Sequence, residues 1–374
     1  MADYLHVIAL NIPWPPNYGG VIDIYYKLKA LHAQGVHIIL HCFEYERPQA
    51  PELLDVCKEV YYYKRTTGLR TNLSHLPYNV YSRKDSRLIR DLLKDDYPIL
   101  FEGLHSCYYL GDRRLQNRKK IFRVSNIEHD YYRHIGDAES NLLKKCFYYI
   151  EGKRFEWYER VAEHADCILT VSTADAEAME KRFPDNRVEC MPCFHPYDEV
   201  VSVPGQSDFI LYHGKLSVLE NQKAALFLIE QVFSKLTCKC MIVGMNPSPQ
   251  LIRATEPYTH ISIEANPSAE RMDWLIREAQ INMLITFQPT GLKLKLLNSL
   301  FAGRHTVVNS EMLTGSGLDA LCQIAETPKG MIRACQELMQ KPFTEADIQL
   351  RKELLFPEYS NQWQARQLKQ IIYE

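Results

Sequence analysis

The chain has 374 residues, of which 46% are hydrophobic, so it is long enough for two domains that each bury a core of their own. Its 44 basic and 46 acidic residues nearly balance, which excludes the strongly basic composition typical of a nucleic-acid-binding protein. We find no apolar run near the roughly 20 residues that span a bilayer, no signal peptide and no cysteine framework, so we predict a cytoplasmic protein with reduced thiols.

The chain begins with a βαβ pattern. Tyr4–Leu10 is predicted to be a strand, and a loop that ends in Gly19 and Gly20 leads to a helix over Val21–Gln34 and a second strand over Val36–Phe43. This pattern is typical of a doubly wound sheet, and glycine in the first turn lets the backbone approach a ligand closely. A strained turn is the alternative explanation for the two glycines.

Polar side chains follow two later strands of this domain. His105 comes shortly after a predicted strand over Pro98–Phe101, and Glu128 and His129 lie in a polar turn after Lys119–Ser125. Because the carboxyl ends of parallel strands line the ligand edge of a sheet, these side chains are candidates for positions near a substrate. A structural histidine and a self-satisfied polar loop are the alternatives. The remaining predicted elements are strands at Val60–Tyr63, Cys167–Ser172 and Val188–Pro192 and helices at Ser82–Lys94, Asn141–Asp166 and Thr173–Phe183.

Basic residues cluster in sequence around the long predicted helix Asn141–Asp166. They could face an anionic membrane, which would give a peripheral contact at its inner face, or they could simply be solvated. These residues are Arg113, Arg114, Arg118, Lys119, Lys120, Lys144 and Lys145.

A second α/β domain is predicted after the polar, proline-containing stretch His195–Ser207. We place the first domain at residues 1–200, the second at 201–355, and an amphipathic helix at 356–374 that is long enough to cross back to the first domain. Predicted strands are Asp208–His213, Cys240–Val243, His260–Ile263, Met283–Thr286, Ala320–Ala325 and one that begins at Thr306; predicted helices are Glu220–Leu236, Ala269–Ala279, Leu292–Ala302 and those from Pro328 onward.

The segment Ile281–Asn309 carries the clearest ligand signal. Thr290 and Gly291 lie at a predicted helix N-terminus after a buried strand, where unpaired N–H groups and the helix dipole favour an anion. Lys293 and Lys295 add positive charge in the first turn, against the usual preference for acids there. The pattern predicts a diphosphate cradle, and solvated lysines on an exposed face are the alternative.

No metal site is expected. The close pairs Cys190–Cys193 and Cys238–Cys240 lie far apart and have no histidine at zinc-site spacing. Structural thiols are therefore favoured over metal ligands.

Several segments resemble family 4 glycosyltransferases, whose GT-B architecture has two doubly wound, Rossmann-like α/β domains facing a central crevice. The similar segments are Asn17–Gly20, Glu102–His105, Asn126–Tyr132, Val171–Asp175, His213–Lys215 with Asn221 and Lys223 beyond it, and Gly291–Gly303. The resemblance implies His105, Glu128 and His129 as catalytic candidates, and Glu102 as a further acid near them. It implies donor-binding roles for Gly19, Gly20, Lys215, Thr290, Gly291, Leu292, Lys293, Lys295 and Asn298.

The chain departs from the family at two donor-site positions. The family's pair of glutamates, eight positions apart, would fall at Thr290 and Asn298. Asn298 can still donate and accept hydrogen bonds to a ribose, but without charge, and Thr290 offers only a hydroxyl.

The resemblance implies a hexosyltransferase-type glycosyltransferase of polysaccharide biosynthesis. It would move a sugar from a nucleotide-diphosphate donor to a saccharide or lipid-linked acceptor, with retention of configuration and without a metal or other cofactor. A sugar-nucleotide 2-epimerase of the same architecture and a non-catalytic nucleotide-sugar-binding protein are the alternatives.

Overall fold

The computed structural model describes residues 2–68, 71, 74–139, 141–287, 294–356 and 358–374. The chain divides into two compact units, one made of Met1–Phe194 with Asn361–Glu374 and the other of His195–Ser360. The predicted boundaries, after residues 200 and 355, lie a few residues from these divisions. In the part of the chain that the structure describes, no helix combines the length and hydropathy of a bilayer-spanning segment.

The first unit contains a seven-stranded parallel sheet with the order β3-β2-β1-β4-β5-β6-β7. The short central strands are buried along their whole length, as expected for a sheet covered on both faces. The order reverses between β1 and β4, which is the topological switch point of a doubly wound sheet. The strands are β1 (Tyr4–Ala9), β2 (His37–Glu44), β3 (Glu59–Lys64), β4 (Ile99–Glu102), β5 (Lys120–Arg123), β6 (Cys167–Thr170) and β7 (Arg187–Cys190).

Helices cover this sheet, and the C-terminal helix of the chain is one of them. Its apolar residues Ala365, Leu368 and Ile371 join the core that α1 builds on the first sheet. The helices are α1 (Gly19–Ala33), α2 (Tyr78–Tyr81), α3 (Ser86–Leu92), α4 (Glu128–Ala138), α5 (Leu142–Tyr158), α6 (Thr173–Arg182) and, from the end of the chain, α14 (Asn361–Tyr373).

A buried cluster of charges fastens α1 to the sheet. Lys27 is 1% exposed, and its Nζ lies 2.8 Å from Glu102 Oε1 and 3.1 Å from Asp23 Oδ2. Arg123, at the end of β5, lies 3.6 Å from Asp23. Burial alone would raise the pKa of Asp23, but Lys27 and Arg123 hold it below its usual value. The four charges therefore compensate one another within the core.

The second unit repeats the topology with six parallel strands in the order β10-β9-β8-β11-β12-β13. Its switch point lies between β8 and β11. The strands are β8 (Phe209–Lys215), β9 (Lys239–Met245), β10 (Ile261–Ala265), β11 (Ile281–Leu284), β12 (His305–Val308) and β13 (Gln323–Ile324), and the helices are α7 (Leu219–Phe227), α8 (Pro249–Thr255), α9 (Ala269–Glu278), α10 (Leu294–Ala302), α11 (Ser310–Leu313), α12 (Pro328–Leu338) and α13 (Glu345–Leu355).

Several predicted elements are shorter in the structure. The helix expected over Ser82–Lys94 starts only at Ser86, because the Asp85 side chain accepts a hydrogen bond from the Arg87 N–H and caps it there. The helix expected over Glu220–Leu236 changes after Phe227 to a π-helical and then a 3-10 turn.

Two further segments near the candidate site have a different type of secondary structure from the one predicted. The helix predicted over Asn141–Asp166 ends at Tyr158 and continues as a 3-10 turn. The polar turn predicted over Asn126–Tyr132 becomes the first turn of a helix at Glu128. Glu128 and His129 therefore stand on a regular helix.

Candidate functional site

The switch point of the first unit brings His105 and Glu128 together. β4 ends at Glu102, and Gly103 then turns the chain with a φ of +74°, a conformation that favours glycine. Glu128 begins α4, just after β5. His105 Nε2 consequently lies 3.6 Å from Glu128 Oε2, with the glutamate side chain 3% exposed.

Burial sets the charge of both partners. It raises the pKa of Glu128 to about 8, and the nearby Glu159 adds to this shift. Burial lowers the pKa of His105 to about 3, and the cations Arg83 and Arg65 add to that shift. Near neutral pH the pair is therefore a carboxylic acid beside a neutral imidazole rather than an ion pair.

His105 also retains unused hydrogen-bonding capacity. Within the described ranges its buried Nδ1 atom has no hydrogen-bond partner. The ring packs edge-on against Phe155, with 5.3 Å between the ring centroids. The imidazole is thus held by an aromatic contact, and no described protein group uses its Nδ1 atom.

His129 stands next to Glu128 in sequence, but its ring has other neighbours. Its Nδ1 lies 3.5 Å from Glu159 and its Nε2 lies 3.5 Å from Asp130. Glu159 is in turn paired with Arg182 at 2.6 Å. These contacts place His129 in a charged cluster behind Glu128. Glu102, considered above as an acid near the site, is bound to Lys27 in the core.

Gly19 and Gly20 form the exposed start of α1. The preceding residue, Tyr18, has an extended backbone and provides no side-chain cap. A side-chain carbon built at Gly19 would meet nothing within 4 Å, and one at Gly20 would touch only the Tyr18 ring, at 3.7 Å. There is consequently space for a ligand at this helix start.

The second unit gathers cationic and amide groups at its own switch point. Lys295 Nζ donates to Asn221 Oδ1 at 3.2 Å and lies 5.3 Å from the centre of the Tyr212 ring. The Asn221 amide donates to the Lys215 carbonyl oxygen, also at 3.2 Å. Asn221 therefore connects the end of β8 to the first turn of α10. The sequence pointed to Asn221 only through the resemblance of the segment beyond Lys215 to family 4 glycosyltransferases.

Asn298, one turn further along α10, has an unsatisfied polar atom. In the part of the chain that the structure describes, its buried Oδ1 has no hydrogen-bond partner. An orphaned buried acceptor is costly unless a ligand or water satisfies it. A hydrogen-bond donor such as a ribose hydroxyl would meet this requirement, and the ribose contact that the resemblance implies for Asn298 stays a prediction.

Four predicted donor-site residues, Thr290, Gly291, Leu292 and Lys293, lie outside the described residues. The predicted diphosphate cradle is therefore represented by its later residues, Lys295 and Asn298. Among the described residues, no three His, Cys, Asp or Glu side chains converge as a metal ion would require.

One curated protein has a related sequence. An uncharacterized 44.6 kDa protein in the cps region of Klebsiella pneumoniae is 25% identical over 322 residues, which cover 83% of this chain and 77% of that protein. No family model matches the chain.

Solved structures share the fold over the full length. TarM from S. aureus, in complex with fondaparinux, alpha-GlcNAc-glycerol and UDP, has a TM-score of 0.68 at 8% identity and covers 100% of this chain and 99% of its own. WaaG, a glycosyltransferase involved in lipopolysaccharide biosynthesis, has a TM-score of 0.68 at 10% identity, with 99% of each chain covered. The predicted fold class is confirmed: the chain has the two parallel-sheet, Rossmann-like domains of GT-B glycosyltransferases. These similarities do not single out family 4.

The buried Glu128 acid should make stability depend on pH. Its folded pKa of about 8 exceeds the ordinary value of 4.5, so between these values the native state holds a proton that the unfolded chain releases. The free energy of unfolding should therefore fall as pH rises, by up to about 1.4 kcal/mol per pH unit from this group. Glu128→Gln should remove that contribution when urea unfolding is compared at pH 6.5 and 8, because the contribution of His105 is common to both proteins.

Glu177→Gln on α6, where the side chain is exposed, is the matched control and should keep the wild-type slope. An unchanged slope in Glu128→Gln would show that Glu128 is already ionised at neutral pH.

Proposed function

We propose that this protein is a glycosyltransferase that moves a sugar from a nucleotide-diphosphate donor to a saccharide or lipid-linked acceptor. The observation that carries the proposal is the group at the β8/β11 switch point, where the Lys295 ammonium is held on Asn221 one turn before the unsatisfied Asn298 oxygen. A cation and hydrogen-bonding groups at this edge suit a diphosphate joined to a ribose.

The comparisons support this class of reaction. TarM was solved with UDP, and WaaG is described as a glycosyltransferase involved in lipopolysaccharide biosynthesis. We therefore propose a nucleoside diphosphate sugar as donor, a hexosyl group as cargo and a surface polysaccharide or its lipid-linked precursor as acceptor. These similarities do not favour the epimerase alternative.

Stabilisation of the leaving group is the main chemical demand. The anomeric carbon–phosphate oxygen bond breaks as an acceptor hydroxyl oxygen bonds to the same carbon, and the hydroxyl proton passes to the departing phosphate. Negative charge grows on the diphosphate, and Lys295 and Lys215 can compensate it in place of a divalent metal. We propose metal-independent transfer on this ground, and retention of configuration on the resemblance to family 4.

His105 is proposed to position a sugar hydroxyl. Its low pKa keeps the ring neutral, so it can accept or donate a hydrogen bond without carrying charge to the site. Glu128, largely protonated at neutral pH, is suited to donate rather than to act as a nucleophile. We propose that His129 acts through Glu128 and its charged neighbours and does not touch the substrate.

A peripheral membrane contact is also part of the proposal, and helix α5 supports it. Its outward face carries exposed apolar side chains, with exposed fractions of 76% for Leu142, 84% for Leu143, 54% for Ile150 and 56% for Trp157. The Lys153 side chain, 73% exposed, lies among them. At 100° per residue these side chains share one side of the helix. A groove of about 870 Å³ runs beside them, lined in part by Tyr149 and Trp157.

An anionic bilayer suits this face better than a protein partner. Lys144 and Lys145 directly follow the two leucines, and lysine is depleted from protein–protein interfaces but favoured at anionic lipid surfaces. Tryptophan is also enriched at the level of lipid headgroups. We propose that α5 lies on the membrane, which would hold the protein near a lipid-linked acceptor.

Lys295→Ala should weaken binding of the cognate nucleoside diphosphate by about tenfold or more, because it removes a charge-assisted contact to phosphate. Calorimetry on the full-length protein with UDP, GDP and ADP measures the change. Lys329→Ala, at an exposed position on α12 in the same domain, is the control and should bind as wild type. Equal affinities in both variants would remove Lys295 from the donor site.

Leu143→Asp should abolish flotation of the protein with vesicles that contain phosphatidylglycerol, because it places a charge in the apolar face of α5. Leu54→Asp, at a position 58% exposed on a 3-10 turn of the same unit, should float as wild type. Unchanged flotation of Leu143→Asp would contradict the membrane contact. So would a wild-type protein that does not bind vesicles but forms a dimer, if Leu143→Asp breaks that dimer.

A further inference from the structure

Two arginines at the carboxyl edge of the first sheet donate hydrogen bonds only to uncharged oxygen atoms among the described residues. Arg83 donates from Nε and a terminal nitrogen to the Leu10 carbonyl oxygen, just beyond β1, at 2.9 and 2.7 Å. Arg65 follows β3 and donates to Ser82 Oγ and to Asn79 Oδ1, each at 2.9 Å. Both guanidinium groups also meet at Asn79, whose backbone carbonyl accepts from Arg83.

These arginines differ from most others in the unit. Arg118, Arg123 and Arg182, for example, each lie within 4 Å of a carboxylate. Among the described residues, neither Arg65 nor Arg83 forms an ion pair, and none of the residues outside the described ranges is Asp or Glu. The charge of the two guanidinium groups is therefore not balanced by a carboxylate in direct contact.

The surroundings increase this imbalance. Burial lowers the pKa of Arg83 to about 9 and lowers that of Arg65, yet both stay cationic at neutral pH. Glu128, the acid that acts on Arg83, is largely protonated there. Arg83 lies near the His105 imidazole through Leu10: a side-chain carbon built at Gly103 would be 3.4 Å from the Leu10 side chain and 3.8 Å from His105 Nδ1. Both arginines also depress the pKa of His105. Two positive charges thus stand beside the proposed acceptor position.

We propose that Arg65 and Arg83 form an anion site that takes a phosphate group of the acceptor. The assignment of the anion to an acceptor rests on the proposed function, whereas the anion site itself does not. Two cations match the charge of about −1.5 to −2 on a phosphate group better than the single charge of a carboxylate. Arginine also presents paired donors with the spacing of phosphate oxygens. Arg65, which is only partly buried, provides the direct contact, and the buried Arg83, which contacts the same Asn79, adds positive electrostatic potential.

Calorimetric titration of the full-length protein with inorganic pyrophosphate tests the site. Because the proposed donor site would also bind pyrophosphate, the titrations are made in Lys295→Ala, which disables that site. We expect one binding event there, and it should weaken at least tenfold when Arg65→Gln is added. Arg90→Gln, at an exposed position on α3, is the matched control and should bind as wild type. Asn79→Asp is the second variant. It adds a carboxylate between the two guanidinium groups and should abolish the event even if Arg65→Gln folds poorly.

The outcomes separate this site from the donor site. Binding that survives when Arg65→Gln and when Asn79→Asp is added to Lys295→Ala, or the absence of any binding in Lys295→Ala alone, overturns the inference. If no nucleoside diphosphate binds but the Arg65-dependent event remains, the proposed function fails while the anion site stands.

Two further titrations identify the source of the phosphate. One uses a soluble hexose phosphate, and the other uses neutral vesicles with and without a long-chain prenyl phosphate. Arg65-dependent binding in the first assigns a soluble acceptor, and in the second a lipid-linked one. If neither the hexose phosphate nor the prenyl phosphate binds, the assignment to an acceptor phosphate is overturned.

Discussion

The His105–Glu128 site of the first unit depends on the contacts of the buried Lys27 ammonium group. It joins Asp23 on α1 to Glu102, the last residue of β4, and Arg123 at the end of β5 binds the same aspartate. Three elements are thereby fixed at their carboxyl-edge ends. His105 follows Glu102 by three residues and Glu128 follows Arg123 by five, so their separation of 3.6 Å is set by this buried cluster. Buried ion pairs contribute little net stability, but loss of one partner leaves an uncompensated charge. Such a cluster suits a site whose geometry has to be held.

The second domain fixes its site by close packing instead. A side-chain carbon at Gly244 would lie 1.8 Å from the Gly214 carbonyl oxygen, so only glycine allows β8 and β9 to approach at this level. The approach holds the end of β8 in register, and Asn221 then ties that end to Lys295. A rigid sheet edge thus presents the ammonium group in advance of any ligand, which is the arrangement that favours electrostatic stabilisation of a leaving group.

Local patterns predicted the two α/β domains because buried parallel strands contain continuous apolar runs, such as Met283–Ile285. They could not show which charges meet. Glu102 and Glu128 looked alike in sequence, but Glu102 is neutralised by a lysine 75 residues earlier in the chain, whereas Glu128 has no such partner among the described residues. Arg83 lay inside a predicted helix and gave no signal, although a tertiary contact with Leu10 turns it toward the switch point. In both cases a contact between polar groups far apart in sequence determined the role of the side chain, and local sequence patterns do not show such contacts.

The most direct measurement is the release of nucleoside diphosphate by the full-length protein, quantified by mass spectrometry. The protein is incubated with UDP-, GDP- and ADP-sugars, with and without an extract of membrane lipids and oligosaccharides. We expect one donor to release its diphosphate only with the extract, and His105→Ala to lose this release while still binding the nucleotide. Conversion of a sugar nucleotide to an isomer without any acceptor would contradict it, as would nucleotide binding without release across a broad acceptor panel.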